Sequence, residues 1–206
     1  MFKSNFIAIS GNIGVGKTSL SKQLNKRFGW KVFYEPEQKN PYLEDFYEDM
    51  QRWAFHSQIV FLTQRFKDHL KIQNSKEVLV QDRTIFEDAE IFARNLYERN
   101  LMQPRDYQTY CKLYESMVQT LEKPGLLVYL RASTWTLLSR IRKRGRDYER
   151  NLDREYLAQL NISYDRWIRR ISADWSVLIV DTDDYDMVED EDWLEGILEE
   201  IKLKVE

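Results

Sequence analysis

The stretch Gly11-Asn12-Ile13-Gly14-Val15-Gly16-Lys17-Thr18 decides how the rest of the chain is read. It fills every position of the phosphate-loop pattern G-x-x-x-x-G-K-[ST]. Its surroundings fit as well. Before it, Phe6-Ile7-Ala8-Ile9 is a short apolar run that predicts a buried parallel strand. After it, Leu20, Leu24 and Phe28 recur every four residues, which predicts a helix with one apolar face. Between the two, the glycines let the backbone curl until successive N–H groups point inward, toward a polyphosphate. The helix N-terminus adds partial positive charge at the same place. Gly11, Asn12, Ile13, Gly14, Val15 and Gly16 are therefore expected to cradle phosphates. Lys17 is expected to reach the β- and γ-phosphates, and the Thr18 hydroxyl to hold Mg²⁺. The expected ligand is a nucleoside triphosphate.

Outward from this loop, the chain shows no repeat, low-complexity segment or linker, so residues 1–206 are expected to form a single domain with a sizeable core. Its 31 basic and 34 acidic residues give a net charge of −3, which argues against a nucleic-acid-coating surface and against electrostatic membrane binding. One cysteine, Cys111, allows no intramolecular disulfide and no cysteine zinc cluster. Neither a signal peptide nor an apolar run long enough to span a bilayer is visible, so a cytoplasmic protein is expected.

Further strand-like runs occur at Lys31-Val32-Phe33-Tyr34, Val78-Leu79-Val80-Gln81, Leu126-Leu127-Val128-Tyr129-Leu130 and Val177-Leu178-Ile179-Val180. Helical spacing separates them: Phe55, Ile59, Leu62, Phe66 and Leu70; Tyr107, Cys111, Tyr114, Val118 and Leu121; and finally Leu194, Ile197, Leu198 and Ile201. Alternation of this kind predicts an α/β fold, a parallel sheet with helices on both faces. The aromatic-rich 107–121 segment has enough apolar surface either to pack in the core or to form a subunit interface. Cys111 lies on that face as a small hydrophobe. His56 and His69 are read as surface or packing residues, and the acidic run 181–192 as a helix entry and surface feature.

In such sheets ligands gather at the carboxyl ends of the strands. The second strand ends at Glu35-Pro36, and a carboxylate opposite a phosphate loop is a candidate general base. The third ends at Asp82-Arg83-Thr84, where Asp82 can serve Mg²⁺ and Arg83 can pair with Glu35 or hold an oxygen of the transferring group. After the fourth come Arg140, Arg144, Gly145 and Arg146. An arginine-rich lid hinged at Gly145 would supply cations to a migrating phosphoryl group and expel water.

The phosphate loop, Tyr34-Glu35-Pro36, Asp82-Arg83-Thr84 and the 140–149 segment occur in the order seen in deoxynucleoside kinases. The chain resembles that family over essentially its whole length, most closely the bacterial deoxyadenosine kinases and the deoxycytidine and deoxyguanosine kinases. The resemblance implies a P-loop NTPase-type five-stranded parallel sheet, usually in a homodimer. It also implies ATP and Mg²⁺ as cofactors. Glu35 would then take the proton of the deoxyribose 5′-hydroxyl, with Arg83 holding that oxygen and Asp82 serving the metal. Tyr47 and Glu149 would bond the 3′-hydroxyl. Gln58 would face the base edge, with Arg65 and Asp88 paired deeper in the pocket. Trp53, Phe55, Phe86 and Phe92 are candidates for its walls. Asp183, Asp184 and Tyr185 fall where the family's ATP adenine rests on loop backbone, with Arg140 and Arg144 near the nucleotide.

Two features depart from the family. Asp82 stands where many relatives carry glutamate, so water would bridge it to Mg²⁺. Tyr148 precedes Glu149 where consecutive acids are common. Base choice points to deoxyadenosine, with deoxycytidine or deoxyguanosine weaker and thymidine very poor. Two other functions are weighed. A nucleoside monophosphate kinase of the thymidylate type would need a cationic seat for the acceptor phosphate. A guanine-nucleotide switch would need Asp-x-x-Gly and Asn-Lys-x-Asp, and both are missing from the sequence.

Overall fold

The computed structural model describes residues 5–34, 39–149, 152–185 and 190–205. Five strands form one sheet: β1 (Phe6–Gly11), β2 (Lys31–Phe33), β3 (Leu79–Asp82), β4 (Leu126–Arg131) and β5 (Val177–Asp181). Their order is β2-β3-β1-β4-β5, and every pairing is parallel. β1 and β3 are buried along their whole length, as is β4 from Leu126 to Leu130. That is why these runs are continuously apolar: both faces of a central parallel strand meet helices. β5, at the edge, instead alternates, with Leu178 and Val180 buried and Ile179 exposed.

The expected helices follow, with others between them: α1 (Lys17–Phe28), α2 (Leu43–Glu48), α3 (Met50–Gln73), α4 (Ile85–Glu87), α5 (Arg94–Glu98), α6 (Pro104–Val118), α7 (Thr134–Arg144), α8 (Arg154–Ile171) and α9 (Glu191–Val205). Local chemistry sets their ends. Gly29, in the left-handed region at φ 72°, closes α1 with an N–H bond to the Asn25 carbonyl. The side chains of Asp49, Ser133 and Asp153 cap α3, α7 and α8. α8 had no counterpart among the expected helices, yet it contributes Tyr156, Leu157, Leu160, Tyr164, Trp167, Ile168 and Ile171 to the core.

One finding differs from the spacing argument. On α3, only Leu62 of the expected apolar face is buried; Phe55, Ile59, Phe66 and Leu70 are half-buried. The buried stripe runs through Ala54, Ser57, Gln58, Phe61, Leu62, Arg65, His69 and Ile72. The helix is rotated so that a partly polar stripe faces inward. α6 behaves alike: of its fifteen residues only Tyr110 is buried, while Tyr107, Cys111, Tyr114 and Val118 stay half-covered.

The connection out of β1 runs to β2, on the β3 side, and the connection out of β3 runs to β4, on the other. β1 and β3 are neighbours, so the sheet's switch point opens between their carboxyl ends. Gly11 and Arg83 sit at that opening.

Candidate active site

Gly11, Gly14 and Gly16 all have positive φ, at 142°, 81° and 109°. The loop also has no room for side chains at its tightest points. A Cβ on Gly11 would lie 2.5 Å from the Leu130 carbonyl oxygen, and one on Gly14 would lie 2.7 Å from the Ile141 side chain. Lys17 is buried and its Nζ donates to the Asn12 carbonyl at 3.0 Å, spanning the loop mouth. The Asn12 side chain turns away, donating to the Leu157 carbonyl and to Asn161 and accepting from the Ile13 N–H. It fixes the loop to α8, and neither it nor Gly11 lines the cavity in front.

That cavity has a volume of about 610 Å³ and is lined by Ile13 through Ser19 at one end and by Gln58, Phe61, Asp88 and Phe92 at the other. At the loop end, Thr18 Oγ1 donates to Asp82 Oδ2 at 2.5 Å. Two hard oxygen donors therefore stand together beside the phosphate cradle. No cluster of three or more His, Cys, Asp or Glu residues suited to a metal occurs among the described residues. The Thr18–Asp82 pair suits Mg²⁺, which takes one or two protein oxygens. Arg83 is a non-glycine residue at φ 68°, an uncommon and strained conformation of the kind found at functional sites. The turn aims its guanidinium over the Phe92 ring at 4.2 Å and toward the Gly11 carbonyl at 3.4 Å. Glu35 lies outside the described residues.

At the far end, Arg65 and Asp88 are both nearly inaccessible, and Arg65 Nη1 donates to the two Asp88 oxygens at 2.6 and 2.7 Å. Arg65 also lies over the Phe61 ring at 5.0 Å. Asp88 opens a π-helical turn, Asp88–Ala93, whose wider coil is a frequent mark of functional sites. Gln58 is buried on α3, and its Oε1 has no hydrogen-bond partner among the described residues. A buried amide oxygen facing a cavity is a seat for a ligand donor. Of the four expected wall residues only Phe92 lines the cavity. Phe86 points into the core, edge-on to His69 and Trp175, while Trp53 stacks on Tyr42. Phe55 lies against His56. Phe46, Phe61 and Tyr156 line it instead. Helical spacing does not reveal which side of a helix meets a cavity.

Beside the loop, α7 ends at Gly145 (φ 70°) and a 3₁₀ turn, Asp147–Glu149, follows. Glu149 is buried and takes Arg144 at 2.7 Å on both oxygens and Arg146 at 3.4 Å. Glu149 thus gathers the two arginines at the cavity wall, and Tyr47 stands next to them, stacked on Tyr148 with ring centroids 5.5 Å apart. Arg140 is stitched into backbone: it donates to Val15 O at 3.3 Å, to Tyr185 O at 2.8 Å, and to both the carbonyl and the hydroxyl of Thr182. It ties the phosphate loop to the segment after β5. In that segment Asp183 accepts the Ser133 N–H at 2.8 Å, and Tyr185 stacks on Trp193 at 4.7 Å. Burial pushes the Asp183 carboxyl up, but bonds from Thr136 and Ser133 outweigh it and hold its pKa below the ordinary value. Asp183, Asp184 and Tyr185 do not line the cavity themselves.

One buried residue escaped the reading of the sequence. Glu87, fully buried, accepts from Thr84 N–H and Oγ1 at 3.0 and 3.2 Å in a capping box. The pattern Thr84-Ile85-Phe86-Glu87 directly after a strand was the available signal.

The family model for deoxynucleoside kinases matches residues 7–206. The chain is 41% identical over 201 residues to the deoxyadenosine/deoxycytidine kinase of Bacillus subtilis strain 168, covering 97% of this chain and 92% of that one. It is 34% identical over 200 residues to the deoxyguanosine kinase of the same organism, covering 96% of each. Among solved structures, the deoxyadenosine kinase of M. mycoides with the products dCMP and a flexible dCDP bound superposes with a TM-score of 0.86 at 34% identity, over 96% of this chain and 98% of that one. The same enzyme with bound dATP gives 0.82 over the same shares.

Proposed function

The chain belongs to the deoxynucleoside kinase family, and on that premise we propose that it moves the γ-phosphoryl group of ATP to the 5′-hydroxyl of deoxyadenosine by preference. Phosphorylation of deoxynucleosides in salvage is the activity of the family. The observation that carries the choice of base is the far end of the cavity. There the buried Gln58 oxygen, without a partner among the described residues, lines the same cavity as an Asp88 carboxyl already held by Arg65. Both are acceptors, so they suit a base with an exocyclic amino group. Thymine offers none there and would push its methyl group toward the ion pair. The relatives named for deoxyadenosine and deoxycytidine, and the M. mycoides enzyme with dATP, support the same reading.

The reaction is a phosphoryl transfer, in which positioning and charge do most of the catalysis. Glu35, just beyond β2, accepts the proton of the 5′-hydroxyl as its oxygen bonds to the γ-phosphorus and the bond to the β-γ bridging oxygen breaks. Arg83 steadies that attacking oxygen. Tyr47 and Glu149 anchor the sugar's 3′-hydroxyl. The loop N–H groups and Lys17 hold the phosphates, and Arg144 and Arg146 swing about Gly145 to meet charge on the group in flight. Thr18 and Asp82 would hold Mg²⁺, which when bound would supply positive charge to the phosphates. Arg140 fixes the loop of Asp183, Asp184 and Tyr185 on which adenine rests. Residues 1–206 act as one catalytic domain, paired in a homodimer through the half-covered faces of α3 and α6. No described helix is long and apolar enough to cross a membrane.

The test follows ADP formation with ATP and Mg²⁺ against each of the four deoxynucleosides and dTMP. Deoxyadenosine should give the highest kcat/KM and thymidine the lowest of the four. A preference for thymidine would overturn the base assignment. Activity confined to dTMP would restore the monophosphate kinase alternative.

A further inference from the structure

β1 and β3 run in parallel register as far as Ile9 opposite Asp82, and the last bond of the ladder is Arg83 N–H to the Ile9 carbonyl at 2.9 Å. Continued by one step, the ladder would pair the Gly11 N–H with the Arg83 carbonyl and the Gly11 carbonyl with the Ile85 N–H. It does not continue. Arg83 turns into the left-handed region and Gly11 bends into the phosphate loop, both with positive φ. The Gly11 peptide is the hinge from which the whole loop departs, and it is left at a buried switch point without a backbone partner on the β3 side.

Beside the long contact from the Arg83 guanidinium to the Gly11 carbonyl at 3.4 Å, two further side chains take the place of the missing ladder. Glu87 Oε1 accepts the Gly11 N–H at 3.3 Å. The Tyr164 hydroxyl lies 2.9 Å from the Gly11 carbonyl and 2.9 Å from Glu87 Oε1, so its single proton is shared between two acceptors. Both residues are fully buried. The second Glu87 oxygen holds Thr84, the residue next to Arg83, at its N–H and hydroxyl. Tyr164 is set in place by stacking on Tyr129 at 5.6 Å and by the edge of Phe92, the ring under Arg83. One carboxyl thus ties the first peptide of the phosphate loop to the turn that carries Arg83.

We propose that Glu87 and Tyr164 are positioning residues of the kinase, a side-chain clamp that sets the phosphate loop and Arg83 in mutual register by replacing the ladder bonds lost where β1 and β3 part. Neither residue lines the cavity, so both act through Gly11 and Thr84. The clamp rests on the kinase reading for its effect on turnover, but its effect on the loop is independent of the acceptor. The loop begins at Gly11, which β4 holds on the other side at Leu130, so loosening that peptide on the β3 side shifts the start of the cradle relative to Arg83. A misplacement of about 1 Å in such a site costs roughly a hundredfold in rate.

The experiment uses the full chain with Tyr164→Phe, which keeps the stacked ring and removes the hydroxyl, and Glu87→Gln, which keeps the shape and turns one acceptor into a donor. Calorimetry without nucleoside gives ATP affinity, and steady-state kinetics give kcat and the KM for deoxyadenosine. Each variant should bind ATP about fivefold or more weakly and lose about 10- to 100-fold in kcat, with the nucleoside KM within about twofold of wild type. The double variant should be little worse than the weaker single one, because the two side chains act as one unit. Wild-type ATP affinity and kcat in Tyr164→Phe, with at most a lower Tm, would overturn the proposal by reducing the pair to a structural role. That variant decides the matter even if Glu87→Gln fails to fold. Should the wild type phosphorylate no deoxynucleoside while ATP affinity still falls in both variants, the functional reading fails and the clamp stands.

Discussion

The Arg65–Asp88 pair shows what one residue can decide. Both side chains are almost wholly out of water, at 1% and 2% exposure, so neither charge has solvent to fall back on. Removing one partner breaks the buried pair from one side, which costs about 3–5 kcal/mol, whereas removing both together is often close to neutral. Asp88→Ala should therefore be destabilised by about that amount in urea denaturation, and Arg65→Met with Asp88→Ala by much less. The double variant should also raise thymidine activity relative to deoxyadenosine, because the pocket gains room where thymine carries its methyl group. An unchanged substrate ratio, or a double variant as unstable as the single one, would count against the pair as the base selector.

At the scale of elements, α7 and α3 each carry a prediction. α7 delivers Arg144 to the cavity, where Glu149 holds it at 2.7 Å; in the proposed reaction it would meet charge on the transferring group. An interaction made mainly in the transition state affects turnover more than binding. Arg144→Ala should lower kcat about 10²- to 10³-fold while the deoxyadenosine KM moves several-fold at most. Unchanged turnover would reduce the cluster to a solvated helix end. On α3, His69 is fully buried between the Phe6 and Phe86 rings, its Nε2 at 2.9 Å from the Glu122 carbonyl. Nε2 is then the donor, and Nδ1 has no partner among the described residues. Burial lowers the pKa from 6.5 to about 4 despite that bond. The folded pKa lies below the unfolded one, so the unfolded chain takes up the proton first. The stability tied to the neutral ring is complete above about pH 6.5 and is lost as pH falls toward 4, by roughly 3 kcal/mol. Unfolding free energy measured between pH 7 and about 5 should fall in the wild type and stay much flatter in His69→Gln. Equal slopes would mean another group is responsible.

For the whole molecule, the half-covered faces of α3 and α6 bear on assembly. Phe55 and Ile59 on α3 and Tyr107, Cys111 and Tyr114 on α6 keep partial exposure. A second copy of the chain would cover them. Light scattering at micromolar concentration should give twice the chain mass, and Tm should rise with protein concentration. Cys111→Arg, in the middle of the α6 face, should give the single-chain mass by placing a charge in the apolar contact. A monomeric wild type across that range would remove the homodimer.

The phosphate loop, the parallel α/β order and the strand ends at Asp82-Arg83 are legible in the sequence, because each depends on a few contiguous residues whose backbone needs are local. Gln58, Arg65, Asp88 and Glu149 come from resemblance, and the structure brings Gln58 and Asp88 to one end of the cavity, with Arg65 behind them on Asp88, and Glu149 to the wall beside the loop. The rest is a product of tertiary structure. Periodicity on α3 marks Phe55, Ile59 and Phe66 as inward, yet the helix turns the partly polar stripe of Gln58 and Arg65 inward, because the packed fold gives Arg65 a buried partner in Asp88 that spacing along one helix does not reveal. Glu87 reaches Gly11 across 76 positions and Tyr164 across 153, contacts that exist only once the crossovers have laid β1 beside β3 and α8 behind them. Sequence spacing carries the preferences of single elements. Which polar groups end up sharing one buried space is set by how those elements pack, and that is where the register of this site is decided.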